Sequence, residues 1–492
     1  MIKARFVFFL IFFQFFYVFS YSRDYDVMRF GAKNDGITLN TNIIQAAIDY
    51  INENGGGRLV FDSGVYITGT FYLKSDVILH LQKNAELRGS GNPFHYWDKY
   101  FEWTAVILAV KQQNVGITGE GTINAMGYDN ANNLVELIHK RVVNDALTYD
   151  RPVARRTSNI VFGECENVIV RGITLRDPSG WTLVANQCRN MMIDSIRINS
   201  TAYWNNDGID IVDCDGVDIR NSLINASDDA LCFKSHDATK ICQNVTVENC
   251  VVRSSASGLK FGTVSRGGFK NFKVTNLKVH DTYRSAITIQ AVDGGLVENI
   301  IIDGVEAKNV GNAIFLRIGD RWSSGKTPSL EKVQIKNVYA EVSLSKPDSG
   351  YRYEGPVEDL PRNISPASII GLPDWRIKDI VLENIEINYP GGGNPHYAKR
   401  QATAEGLEAI PEMPYAYPEF SQFKELPAWG FYVRHADGIT FENVSLKARS
   451  ADYRPAMVFD DTRDVKLGNI KINEVNSGRK NEIILNNSVK RK

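Results

Sequence analysis

The chain has 492 residues, more than one ordinary core needs, so it holds either several domains or one fold that grows by stacking. At 43% hydrophobic and 23% charged residues it reads as a folded soluble protein. A formal net charge of -1 excludes no partner class alone, but a nucleic-acid binder is usually more basic, so none is expected.

At the start, Lys3 and Arg5 precede a Phe-rich apolar stretch, Phe6 to Phe19, which gives way to Tyr21, Ser22, Arg23 and Asp24. That is the shape of a signal peptide over 1–20, short of the roughly 20 apolar residues of a spanning helix. It predicts a secreted or periplasmic protein that leaves the membrane once cleaved and folds as one domain over 21–492. Next, Thr41 to Asn54 carries apolar residues at helical spacing and stops at Gly55, Gly56 and Gly57. Such a helix would cap the open end of a stacked fold and protect its first strand edges.

From Ile160 onward one phrase recurs: a turn residue, then a short β-branched strand, then a second strand. It starts at Asn167, Asn190, Gly216, Asn244, Asn271 and Asn299, and later at Lys332, Asp379, Gly438 and Asp464. The early starts are spaced by about one coil, and each unit has too little apolar surface to fold alone. Helical periodicity is nearly absent after residue 60, so the repeat predicts an all-β solenoid. Cys165, Cys188, Cys214 and Cys242 each stand two residues before a start and should form one buried column. Cys232 and Cys250 fall off it, and their pairing stays open. Two insertions lengthen the later coils, at about 343–374 with Tyr351 and Tyr353, and at about 390–430 with Tyr397, Tyr415, Tyr417 and Trp429. Long insertions on one face of a solenoid usually shape a binding site.

Three adjacent coils concentrate carboxylates and polar turns: Asn205, Asn206, Asp207 and Asp210, then Asp228 and Asp229, then Ser257. Asp207 and Asp228 sit about one coil apart, on rungs spaced by roughly 4.8 Å. Glycosidic hydrolysis needs one protonated carboxyl to donate to the leaving oxygen and one ionised carboxylate to activate water. Crowded aspartates suit both roles, because like charges raise the pKa of one of them. Single turn aspartates are often only structural; the constellation is not so readily explained.

Strand alternation predicts that Ile209, Ile211, Leu231, Phe233, Leu259, Phe261, Ile287, Ile289, Ile314, Leu316 and Ile318 point inward. Asp210, Cys232, Lys234, Lys260, Thr288, Gln290, Phe315 and Arg317 then point out, beside the aspartates. Lys234, Lys260 and Arg317 are candidate holders of substrate carboxylates, Arg317 through its bidentate fork.

These residues resemble glycoside hydrolase family 28, the polygalacturonase family. The likeness runs from Phe30-Gly31-Ala32 through Gly55-Gly56-Gly57, Gly64-Val65-Tyr66, Ile117-Thr118-Gly119 and Pro178-Ser179-Gly180-Trp181. At its centre, Asn205-Asn206-Asp207 stands for the family's Asn-Thr-Asp and Asp228-Asp229 for its paired aspartates. The resemblance implies a right-handed parallel β-helix and an inverting mechanism without cofactor or metal. Asp228 is then the acid, while Asp207 and Asp229 orient and deprotonate water. Asn205, Asp210, Lys234, Ser257, Lys260 and Arg317 become candidate substrate contacts, and a monomer acting on an acidic polysaccharide or oligosaccharide is expected. Two family motifs depart: Ser257 replaces a histidine and Gly319 a lysine. These departures point away from plain polygalacturonan and toward a rhamnogalacturonan-type linkage, with Lys260 restoring a lost positive charge. Two other readings remain: a β-helix polysaccharide lyase with Lys260 or Lys234 as base, and an inactive carbohydrate-binding homologue.

Overall fold

The computed structural model describes residues 23–96, 100–101, 103–153, 156–351, 365–393, 400–475 and 483–490. The expected leader, Tyr353 and Tyr397 lie outside them. Helix α1 spans Thr41–Glu53 and buries Ile44, Ala47, Ile48 and Ile51 against the first coil. It ends where the sequence stops it: Gly56 has φ +87, and a Cβ there would lie 2.5 Å from the Asp76 carbonyl.

The strands join one 32-stranded sheet whose ladders between successive coils are parallel. Leu183 pairs with Ile209, Ile209 with Leu231, Leu231 with Leu259, Leu259 with Ile287 and Ile287 with Ile314. All the residues expected inward lie in one continuous buried cluster. The recurring start residue is explained by its backbone. Asn167, Asn190, Asn244, Asn271 and Asn299 have φ between 53 and 58, a left-handed conformation that asparagine tolerates and β-branched residues do not. Their amides then stack, Asn167 Nδ2 donating to Asn114 Oδ1 at 2.9 Å and Asn271 Nδ2 to Asn244 Oδ1 at 3.0 Å.

All six cysteines are buried free thiols, including Cys232 and Cys250. The expected column of Cys165, Cys188, Cys214 and Cys242 lies in the core, its thiols donating to nearby carbonyls such as Val212 O, 3.2 Å from Cys214 Sγ.

Some features depart from expectation. A second helix, α2 at Gly127–His139, interrupts the strands that the periodicity led one to expect after residue 60. Its Asn-rich sequence buries little more than Asn130, Ala131 and Leu134, so its apolar stripe is weak. The first insertion closes before 374, because Ala367–Ile370 is already a rung strand paired with Phe315–Arg317. Within the second, helix α3 at Ala404–Glu408 and the Phe420–Phe423 turn pack Leu407, Ile410, Phe420 and Phe423 onto Phe315, Ile370, Tyr432 and Val458. This insertion thus lies over the outward side of the rungs. Among the described residues no helix is long and apolar enough to cross a membrane.

Candidate active site

The acidic turns stack in register. Gly208 N donates to Asp229 O at 2.9 Å, and Ala230 N to Ser257 O at 3.0 Å, as Ile209, Leu231 and Leu259 align on successive rungs. Asp207 therefore lies over Asp229, which lies over Ser257, while Asn206 lies over Asp228. Asn206 itself is buried and pins the turn, donating to Pro178 O and Gly180 O at 3.0 and 2.9 Å.

The adjacent aspartates have opposite environments. Asp228 is half-buried; Oδ1 accepts from Asp229 N at 2.9 Å and Oδ2 from Asn205 Nδ2 at 3.1 Å. Asn205 Oδ1 in turn accepts from Arg156 Nη1 at 3.0 Å. Burial, then the neighbouring Asp229 charge, pushes the Asp228 carboxyl above its ordinary 3.8. Burial alone would raise Asp229 too, but Lys260, then Lys234 and Arg284, outweigh it and hold Asp229 below 3.8. Asp229 Oδ2 accepts from Lys260 Nζ at 2.8 Å and Oδ1 from Ser257 N at 3.0 Å. One of the pair favours its proton and the other its charge.

Lys234 Nζ stands 3.3 Å from Asp207 Oδ2 and 3.1 Å from Asp210 Oδ1, the latter an ion pair without hydrogen-bond alignment. Burial raises both carboxyls, Asp210 to about 7, and Asp210 adds to the rise at Asp207. The two buried carboxyls share one ammonium and titrate as a pair. Carboxylate oxygens of Asp207 and Asp229 lie within 4.8 Å of each other and of Cys232 Sγ. A water donating both hydrogens needs acceptors about 4.5 Å apart, so Asp207 and Asp229 can hold one between them. The same trio offers metal-ligand spacing, but Lys234 Nζ is 3.0 Å from Cys232 Sγ and supplies the cation there.

The second insertion closes one side. Tyr417 Oη lies 3.2 Å from Lys260 Nζ, Glu419 Oε1 lies 3.5 Å from Lys260 Nζ and 2.9 Å from Arg284 Nη1, and Gln290 Nε2 donates to Pro418 O at 2.6 Å. The other side is aromatic: Lys234 Nζ sits 4.5 Å from the Trp181 ring centre, and Trp181 lies 5.6 Å from Trp103. His236 stacks on Trp103, with its pKa lowered to about 4 by burial, Lys234 and Arg266.

The structure thus gathers Asn205, Asp207, Asp210, Asp228, Asp229, Lys234, Ser257 and Lys260. Asp210 is fully buried below Lys234, and Ser257 contributes its backbone N–H while its buried hydroxyl has no partner. Arg317 is not brought to the cluster. Its guanidinium is buried and donates to the carbonyls of Ile370, Gly371, Glu412 and Met413, where it clamps the insertion. Tyr417, on the aromatic insertion expected to shape the site, does reach the cluster, whereas nothing local in the sequence marks Arg284 or Glu419.

Comparison with known proteins identifies the family. The model described as "Glycosyl hydrolases family 28" matches residues 64–346, more than half of the chain. The chain is similar to an exo-poly-alpha-D-galacturonosidase of Dickeya chrysanthemi, 26% identical over 334 residues, covering 58% of this chain and 55% of that protein. It is also similar to a probable polygalacturonase of Vitis vinifera, 25% identical over 317 residues, covering 59% of this chain and 62% of that protein. The match therefore spans less than two thirds of the length of either relative. In fold the chain resembles a hyperthermoactive exopolygalacturonase from Thermotoga maritima, with a TM-score of 0.60 and 24% identity over 75% of this chain and 87% of that one. The stacked turns, the parallel ladders and the family match agree: the chain belongs to glycosyl hydrolases family 28 and folds as a right-handed parallel β-helix.

Proposed function

We propose that the protein hydrolyses a glycosidic bond in a galacturonate-containing, pectic polysaccharide or oligosaccharide, with inversion. Asp228 protonates the leaving oxygen, Asp229 takes a proton from water, and Asp207 orients that water. The observation that carries this is the split between neighbours: Asp228 is raised and half-buried, while Asp229 is lowered and locked to Lys260. Relatives named as polygalacturonases support the substrate class. Ser257 and Gly319, in place of a family histidine and lysine, favour a linkage between galacturonate and another sugar over plain polygalacturonan.

A lyase reading fares worse. Its base would be a neutral lysine, yet against the lowering effect of burial Cys232, Asp210 and Asp207 around Lys234, and Asp229, Tyr417 and Glu419 around Lys260, hold both ammonium groups well above their ordinary 10.5. We place the protein outside the cytoplasm, on the leader expected at 1–20, and expect it to act as a monomer.

The test is the release of reducing ends from defined pectic oligosaccharides by wild type and Asp228→Asn. Hydrolysis without a rise in ultraviolet absorbance, lost by roughly 10³-fold in the variant, supports the proposal. An unsaturated product would favour the lyase, and binding without turnover would leave an inactive homologue.

A further inference from the structure

We infer that Glu419 makes the subsite beside Asp229 selective for an uncharged sugar, so that the scissile bond joins this neutral unit to a uronate held at the Arg156 end. The inference rests on the pectic reading above and refines it.

A uronate carboxylate needs an uncompensated cation in its binding site. Among the described residues the cations under the 415–419 segment are all paired, including Arg321, 5.6 Å from the Tyr417 ring and held by Asp293 at 2.9 Å. Lys260 is 1% exposed and spent on Asp229 at 2.8 Å and Glu419 at 3.5 Å. Arg284 is buried and spent on the same Glu419 oxygen at 2.9 Å. Lys234 in turn is paired with Asp207 and Asp210 at 3.3 and 3.1 Å. An incoming carboxylate would meet the Asp229 and Glu419 charges with no partner of its own. What this side presents instead is the half-exposed Tyr417, 41% accessible, over the Lys260 ammonium. An aromatic ring suits the apolar face of a neutral sugar.

At the other side the balance reverses. Arg156 is half-buried, hydrogen-bonded to Asn205, and paired with no carboxylate among the described residues. Asn205 links it directly to the Asp228 carboxyl. A uronate there lies one residue from the acid and keeps its charge away from Asp229.

The test uses the full-length protein and two oligosaccharides of equal length, one alternating galacturonate with a neutral sugar and one all-galacturonate. Wild type should show at least tenfold higher kcat/KM on the alternating chain. Glu419→Gln, which keeps the shape and frees a cation, should shrink that preference at least tenfold through a lower KM for the all-galacturonate chain. Glu419→Asp should preserve the preference. Arg156→Gln should raise the KM for the alternating chain about tenfold. A wild-type preference for the all-galacturonate chain overturns the inference without any variant, and so does an unchanged ratio in a folded Glu419→Gln protein. Hydrolysis of neither chain by folded wild type contradicts the pectic reading itself.

Discussion

Asp229 and Lys260 form the tightest ion pair of the acidic cluster, 2.8 Å apart and both almost wholly buried. That contact changes what Lys260 is expected to do. The sequence suggested a holder of substrate carboxylates, whose loss would raise KM. In the structure Lys260 instead holds the charge on Asp229, the carboxylate proposed to activate water. Lys260→Met should therefore lower kcat by about 10²-fold or more, with KM within about threefold of wild type. Removing one partner of a buried pair should also cost about 3 kcal/mol of stability. A rise in KM at unchanged kcat would return Lys260 to substrate binding.

The opposite shifts of Asp228 and Asp229 predict the pH profile. With the proposed roles, turnover needs Asp229 ionised and Asp228 protonated. Asp229 lies below 3.8, so activity falls on the acid side only as pH drops through that lowered value. Asp228 lies above 3.8, so activity falls on the alkaline side as pH rises through its raised value. A bell with its optimum between these two is expected in kcat/KM. In Lys260→Met the acid limb should move up, because Asp229 loses its main counter-charge. A rate that only increases toward alkaline pH would contradict both assignments.

Arg317 supplies a contrasting variant. Its guanidinium bonds backbone carbonyls of the insertion and touches no residue of the acidic cluster. Arg317→Ala strands several buried carbonyls and should lower stability by about 3 kcal/mol, read as a fall in Tm. The kcat/KM of the remaining folded protein should stay within about fivefold. A selective rise in KM with unchanged Tm would instead make Arg317 a substrate contact.

The difference between Lys260 and Arg317 shows how far local pattern reaches. Period-two alternation correctly separates Ile209, Phe233 and Leu259 from Lys234, Lys260 and Arg317, because each inward residue must meet the one a coil away. It says which side of the sheet a residue faces, not what covers that side. The cover comes from Tyr417, Pro418 and Glu419, more than a hundred residues beyond Lys260 in the chain, on an insertion with no repeat to read. For the same reason Arg284 was invisible: its partner Glu419 fixes its role, and no spacing connects them. Helix α2 escaped because Asn130, Asn132 and Asn133 dilute its apolar face. The stacked aspartates were legible because a coil length in sequence becomes one rung in space.

The cysteines offer a simple check on packing. All six are free and buried, so an added reductant should leave Tm unchanged, and a thiol reagent should label them only after denaturation. A Tm that drops on reduction would require a disulfide that this fold does not contain.

The most direct test of the three-aspartate account is the configuration of the first product, followed by proton NMR during hydrolysis of a pectic oligosaccharide. On the proposed roles, a water held between Asp207 and Asp229 attacks the face away from the leaving group, so the new reducing end should appear first with inverted anomeric configuration. A product that first appears with retained configuration, or as an unsaturated sugar, would contradict it.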